Sequence, residues 1–368
     1  MPKAQETILE IDLRALEHNI NYLKSKLKAD TKFLAVVKAF AYGSQPKDIA
    51  PFLEQLEVDY FAVAYTSEGV DLRQAGVKKP ILVLHPQAVS FYTLIEYNLE
   101  PNLYSLKVLK EFIALTESLD LNAYPIHLKF NTGLNRLGFS ESQCDDVLNV
   151  LKDKNSVKIA SIFSHLAASE DLKELEFTKG QISSFKTIAD NLLNQLPYKP
   201  LRHLCNTSGI LNYPEAHLDM VRSGIGMYGY GNSEKENKNF IPVATLKTVI
   251  SQIHHIPAGQ SIGYNRAFTS TEPITTATLP IGHADGIGRQ YGNGKGFVTI
   301  NGQPAPIVGN VCMDMIMVNV THIPCKEGDE VLIFGTNPTA EDFAATANTI
   351  SYELLTGLSQ RIKRIITK

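Results

Sequence analysis

From Asp12 onward, apolar residues fall at Leu13, Leu16, Ile20, Leu23 and Leu27. That three- and four-residue spacing lines one face of a helix, and Asp12 is placed to cap its first turn. The next apolar stretch, Phe33-Leu-Ala-Val-Val before Lys38, is continuous and too short for a helix, so it reads as a strand buried on both faces. The alternation then repeats. Strand candidates end near Ala64, Leu84, Tyr104, Lys129, His165, Asn206 and Arg222, with helical patterns such as LKVLKEFIALTESL between them. Together with the strand ending at Lys38 they number eight, and their spacing over about 220 residues suits a closed parallel (β/α)8 barrel of TIM type. A doubly wound open sheet is the competing α/β arrangement.

The polar stretch GNSEKENKN (231 to 239) reads as a linker, and beyond it helix signals fade. IPVATLKTVISQIHHI, ITTATLPI, FVTI, QPAPIV and MIMVNV carry alternating or strand-like apolar runs. Between two of them, Asn301-Gly302 signals a hairpin, because a type I′ turn needs positive φ at both central residues. The expected organisation is a barrel over residues 12–237 followed by a mostly β domain over 238–368, closed by a helical segment, AEDFAATANTISYELLTGLSQRIKR. TILEID has no helix before it, so residues 1–11 are assigned to the C-terminal sheet.

The 368 residues include 35 Lys+Arg against 38 Asp+Glu, a net charge of -3 that gives no general attraction for nucleic acid or an anionic membrane. A small-molecule partner is expected instead. Cys144, Cys205, Cys312 and Cys325 form no CxxC pair and show no zinc-type spacing, so they read as reduced thiols and no metal is expected. There is no signal-type apolar stretch at the start and no run of about 18 apolar residues, which points to a cytoplasmic protein.

In a barrel of this kind the active site lies at the C-terminal mouth, so polar residues terminating apolar strands are candidates for chemistry. Lys38, Lys129, His165, Asn206 and Arg222 all qualify. An amine at the end of FLAVV is partly desolvated, which lowers its pKa and leaves a neutral nucleophile for a carbonyl compound. A phosphate-bearing cofactor would then need a cradle, and the loops Asn206-Thr207-Ser208-Gly209 and Ser223-Gly224-Ile225-Gly226 offer small residues and backbone N–H groups. GIGMYG (224 to 229) matches the dinucleotide fingerprint but is followed by a polar stretch rather than an amphipathic helix. GNGKG (292 to 296) lacks the Walker spacing.

AVVKAFAYG (35 to 43), HLKFNTGLNRLGF (127 to 139), SHLA (164 to 167), NTSG (206 to 209), VRSGIGMYG (221 to 229), SIGYN (261 to 265), ADG (284 to 286) and NVCMDMIMV (310 to 318) together resemble, in order, the landmarks of the alanine racemase family. The resemblance implies a fold-type-III enzyme dependent on pyridoxal 5′-phosphate, with a barrel and a β domain in a head-to-tail homodimer. It also implies roles. Lys38 holds the cofactor as an imine and is the base for the D-enantiomer, and Tyr264 of the partner subunit serves the L-enantiomer. Removal and return of a proton on opposite faces require two such groups. Arg222 hydrogen-bonds the pyridine nitrogen, and His165 links this arginine toward Tyr264. Tyr42, Asn206, Thr207, Gly224, Ile225 and Tyr352 surround the phosphate. Arg136 reaches the cofactor phenolic oxygen and the substrate carboxylate, oriented by Lys129, a residue carbamylated in many family members. The Met313 N–H, again from the partner, binds that carboxylate.

Related decarboxylases place an acid at the ring nitrogen and carry an E-P-G-R phosphate loop, absent here. The sequence departs from the family pattern at Phe40, Ser44, Asn131, Thr207, His283 and Asn310. Of these, Thr207 keeps its hydroxyl, while His283 and Asn310 lie along the family's substrate corridor with Arg289, where they bear on substrate breadth. The implied activity is interconversion of L- and D-alanine, supplying D-alanine for peptidoglycan. A serine or broad-spectrum racemase of the same fold is the nearest alternative. A non-catalytic pyridoxal phosphate-binding barrel is the other, although such proteins resemble the barrel alone.

Overall fold

The computed structural model describes residues 4–368. The Asp12 carboxylate accepts from the N–H groups of Arg14 and Ala15 and caps the helix Leu13–Lys24, which buries Leu13, Leu16, Ile20 and Leu23. Eight strands then close a parallel barrel: β2 (Lys32–Val36), β3 (Tyr60–Val63), β4 (Ile81–Val83), β5 (Glu100–Leu103), β6 (Tyr124–Lys129), β7 (Val157–Phe163), β8 (Leu201–His203) and β9 (Met220–Ser223). Closure is made by β9 pairing with β2, Leu34 opposite Arg222. Alternate residues point inward, and one interior layer of Leu34, Ala62, Leu82 and Met220 packs without a polar atom.

The remaining strands form a nine-stranded sheet. Its members are β1 (Ile8–Asp12), β10 (Ala244–Val249), β11 (Gln252–Ile256), β14 (Ile274–Leu279), β15 (Phe297–Ile300), β16 (Gln303–Val308), β17 (Ile316–Asn319), β18 (Glu330–Phe334) and β19 (Lys363–Thr367), and a separate short pair joins β12 (Ser261–Ile262) to β13 (Phe268–Thr269). The early strand lies antiparallel to β10 and parallel to β19, so the chain begins in the sheet it later completes. Of the segment 1–11 assigned to that sheet, residues 1–3 lie outside the described residues. Asn301 and Gly302 have φ of 49° and 79° between β15 and β16, as a type I′ turn requires.

Two expectations are corrected. The closing segment is not one helix: Ala340–Ala345 and Ser351–Gly357 are short helices separated at Asn348, whose φ is 56°, and the chain then extends as β19 against the open edge of β1. A backbone edge offering hydrogen bonds overrides the local helical pattern. Nor is 231–239 a free linker. Glu236 is buried and accepts from Ser208 Oγ at 3.0 Å, Asn212 Nδ2 at 2.7 Å and the Asn232 N–H at 2.8 Å, which fastens this stretch over the short helix Thr207–Asn212 after β8. Among the described residues, no helix is long and apolar enough to cross a membrane.

Candidate active site

The mouth of the barrel holds a cavity of about 690 Å³. Its walls carry Lys38, Tyr42, Lys129, Arg136, His165, Asn206, Thr207, Arg222, Gly224, Ile225 and Tyr352, eleven of the thirteen site residues expected from the sequence. Val36, Ala64, Leu84, Leu137 and Phe163 supply an apolar floor and sides. Four cationic side chains and no carboxylate face this space among the described residues, which suits an anionic guest.

Lys38 does not end its strand. β2 stops at Val36, and Ala39, Phe40, Ala41 and Tyr42 follow with φ of 52°, 56°, 51° and 52°, a left-handed turn made of residues that ordinarily avoid it. Such a conformation costs about 1–2 kcal/mol per residue, so the surroundings must hold it. The Glu68 carboxylate accepts the Ala39 N–H at 2.6 Å and the Ala64 N–H at 2.7 Å, tying the turn to β3. From the C-terminal side, Arg364 donates to the Gly43 carbonyl at 3.0 Å and lies over the Phe40 ring, 5.4 Å from its centroid. Gly43 itself has φ 82°, and a Cβ there would meet the Leu355 carbonyl oxygen at 2.2 Å. The lysine is thereby presented from a clamped backbone. Burial first, and the nearby Arg136 second, lower its pKa and favour the neutral amine.

Across the cavity, Lys129 ends β6, and burial followed by Arg136, Arg222 and Lys38 pulls its pKa down to about 8. Arg222, on β9, is buried and fully engaged on one side. It donates to the Ser164 carbonyl at 2.8 Å, the Leu204 carbonyl at 3.0 Å, His203 Nδ1 at 2.7 Å and His165 Nδ1 at 3.1 Å. Because a guanidinium only donates, both imidazoles accept at Nδ1. Burial, and then Arg222, holds the pKa of His165 well below the usual histidine range, so this ring is neutral. His165 lies two residues past β7, and Asn206 lies three past β8, where it caps the helix Thr207–Asn212 by accepting the Gly209 N–H at 2.9 Å.

The opposite end of the cavity is made of hydroxyls and backbone. Burial raises the pKa of both Tyr42 and Tyr352, which keeps their phenols protonated as donors. A Cβ on Gly224 would come within 2.2 Å of Tyr42 Oη, so only glycine allows this approach. The N–H groups of Gly224 and Ile225 have no acceptor among the described residues, although both line the cavity.

Tyr264 and Met313 are elsewhere. They share a separate recess of about 300 Å³ with His283, Arg289, Asn310, Val311 and Cys312. Their side chains are 74% and 59% exposed. The loops around them are fixed by backbone bonds, His283 N–H to the Cys312 carbonyl at 3.0 Å and Ala284 N–H to the Met313 carbonyl at 2.9 Å.

The chain is thus a parallel barrel that presents a desolvated lysine among cations, followed by a β domain bearing an exposed tyrosine. Residues 11–232 match the family model for the alanine racemase N-terminal domain, and residues 243–366 match that for the C-terminal domain. An alanine racemase of Thermodesulfovibrio yellowstonii is 36% identical, with 96% of each chain covered. The alanine racemase structure of Clostridium difficile 630 superposes with a TM-score of 0.92 at 34% identity, covering 100% of this chain and 97% of that one. That of Bartonella henselae, which has covalently bound pyridoxal phosphate, gives 0.88 at 31% identity, covering 99% of this chain and 100% of the other. The chain belongs to the alanine racemase family, whose members are isomerases.

Sequence patterns missed several residues that shape this site. Leu84 and His85 line the cavity just after β4, where the rule about strand ends could have found His85. Glu68 and Arg364 left no local signal, since each acts on a turn distant in the chain.

Proposed function

We propose that the protein interconverts L- and D-alanine with pyridoxal 5′-phosphate bound at the barrel mouth. The observation that carries this reading is the cavity itself: a lysine amine whose pKa burial lowers, held on a clamped turn, four basic side chains without a carboxylate, and free backbone donors at one end. These residues fit the cofactor. The N–H groups of Gly224 and Ile225, with the hydroxyls of Tyr42, Thr207 and Tyr352 and with Asn206 beside them, would hold the phosphate, and Lys38 would hold the aldehyde carbon. When bound, the cofactor supplies an electron-withdrawing ring conjugated to the substrate Cα, which makes the α-proton removable.

The chain's own groups do the rest. Arg222 has Nε–H and one Nη1–H without a protein acceptor among the described residues, and would present one of them to the ring nitrogen without giving up a proton. Arg136 receives the substrate carboxylate. Lys129, with its pKa near 8, has a neutral fraction able to add carbon dioxide, forming an N–C bond and releasing a proton. The resulting carbamate is an anion that orients Arg136. Lys38 takes or returns the α-proton on one face, and Tyr264 of a second copy does so on the other, with the second copy's Met313 N–H on the carboxylate. The exposure of Tyr264 and Met313 supports this division between copies. As a cytoplasmic homodimer, the enzyme supplies D-alanine for peptidoglycan.

The deciding experiment is a racemisation assay with added cofactor over alanine, serine and larger amino acids, coupled to α-hydrogen exchange in deuterated water. Preferred turnover of alanine is expected. A holo-protein that exchanges no α-hydrogen, or yields no borohydride-stable pyridoxyl adduct at Lys38, would overturn the reading.

A further inference from the structure

The barrel interior is divided. Leu34, Ala62, Leu82 and Met220 fill the half formed by β9, β2, β3 and β4. Glu100, His127, Ser161 and His203, one each from β5, β6, β7 and β8, occupy the other half and are also buried. Burying four polar side chains is unfavourable unless each is paired, and these are paired in one line. Arg222 Nη1 lies 2.7 Å from His203 Nδ1, His203 Nε2 lies 2.8 Å from Ser161 Oγ, Ser161 Oγ lies 2.6 Å from His127 Nδ1, and His127 Nε2 lies 2.7 Å from Glu100 Oε2. The line climbs from the first residue of β5 to the mouth.

Its direction follows from its ends. Arg222 can only donate, so His203 Nδ1 accepts and the His203 proton sits on Nε2, facing Ser161. The Ser161 hydroxyl proton then goes to His127 Nδ1, and His127 donates from Nε2 to Glu100. Every hydrogen has one acceptor. A cationic His127 would donate at both nitrogens and leave the Ser161 proton without an acceptor among the described residues. Around the carboxylate, Arg73 donates to the carbonyls of Tyr97, Val77, Lys79 and Asn98, Tyr124 donates to that of Leu99, and Tyr60, edge-on to the His127 ring, turns its hydroxyl toward Glu100 as a second donor beside His127.

We propose that Glu100 is a positioning residue: its carboxylate anchors the far end of the line whose donor end is Arg222, holding His127 as the Nε2–H tautomer, and through His127, Ser161 and His203 it steadies the orientation in which Arg222 presents its free N–H groups to the cavity. This rests on the reading that Arg222 faces the cofactor's ring nitrogen. In apo-protein labelled with 15N-histidine, His127 and His203 are expected as neutral Nε2–H rings. Glu100→Gln, which offers a donor as well as an acceptor, should mix the two tautomers of His127. In the holoenzyme it should lower kcat about tenfold, with KM little changed, because a charge-assisted hydrogen bond is lost. The fraction of turnovers ending in transamination should rise several-fold.

Ser161→Ala takes the acceptor from the His203 Nε2–H and the donor from His127 Nδ1. It should shift the signals of both rings while His203 keeps the tautomer that Arg222 sets, and Ser161→Thr, which keeps the hydroxyl, should restore the wild-type signals. That pair decides the matter if Glu100→Gln fails to fold. An unchanged His127 tautomer in Glu100→Gln, unchanged histidine signals in Ser161→Ala, or unchanged kcat and side reaction overturn the proposal. If the wild-type holoenzyme does not racemise alanine, the functional reading fails instead, and the tautomers of the apo-protein still decide the relay.

Discussion

The barrel mouth and the recess around Tyr264 are built on opposite plans. At the mouth, functional side chains are buried and their backbone is strained and clamped: Lys38 opens a left-handed turn, and Arg222 makes four hydrogen bonds on its inner side. In the recess the backbone is also held, with Asn310 donating to the Tyr264 carbonyl at 3.1 Å, yet the phenol itself is 74% exposed. A rigid backbone displaying an exposed aromatic suits a surface that another molecule completes. On the proposed reading the difference has a simple cause: one copy carries two half-sites, each finished to the degree that its own chain can finish it.

The largest expected effect lies in the buried half. Lys38→Ala should reduce racemisation at least about a thousandfold, since on the proposed reading it removes both the covalent anchor and one proton-transfer group; turnover measured by chiral chromatography, with loss of the bound cofactor's visible absorbance, checks it. Tyr264→Phe should cost about 10²–10⁴-fold while leaving that absorbance. The sharpest probe of the comparison combines these two inactive variants. If Lys38 and Tyr264 meet across copies, unfolding and refolding them together should restore about a quarter of wild-type activity, because random pairing gives half mixed dimers, each with one intact site of two. No restoration, with mixed dimers verified by mass, would place both groups in one chain's site.

How much of this was legible in the sequence divides along the same line as its physics. The eight barrel strands and Lys38, Lys129, His165, Asn206 and Arg222 could be read because short apolar runs end in polar residues, a strictly local signal. The left-handed turn could not be read, since Ala39, Phe40, Ala41 and Tyr42 locally prefer other conformations and are held by Glu68 and Arg364. The closing strand β19 was hidden for a related reason: its partner β1 lies at the other end of the chain, and no periodicity reports such pairing. The relay to Glu100 was equally invisible, because its members come from five successive strands and line up only when the barrel closes.

A smaller effect is expected at the proposed phosphate end of the buried half. In Gly224→Ala the added methyl would overlap Tyr42 Oη, at 2.2 Å, and must push away either the phenol or the backbone N–H pair beside it. Cofactor affinity should fall about 10- to 100-fold, the loss of one or two hydrogen bonds to a charged group. Fluorescence titration of apo-protein measures this directly. The turn at Lys38 is untouched, so kcat at saturating cofactor should change far less than affinity. An equal drop in both would mean that the phosphate end and the lysine end are not separable.

The smallest effect is one of stability, and it tests whether the mouth stores charge repulsion that the exposed half lacks. Lys129 is buried among Arg136, Arg222 and Lys38, and its pKa falls from the ordinary 10.5 to about 8. Between those values the unfolded chain binds more protons than the folded one, so stability rises with pH across that window, and below about pH 8 the protonated amine opposes folding in full. In apo-protein free of carbon dioxide at pH 7, Lys129→Met should therefore be more stable by about 1 kcal/mol, or about 1–3 °C in Tm. Its advantage should shrink as the pH rises toward 10.5. Added bicarbonate should narrow the gap at neutral pH by stabilising the wild type alone, because carbamylation turns the misplaced cation into an anion surrounded by cations. A wild-type Tm indifferent to bicarbonate would mean that Lys129 stays an amine, and Arg136 would then have to be oriented by something else.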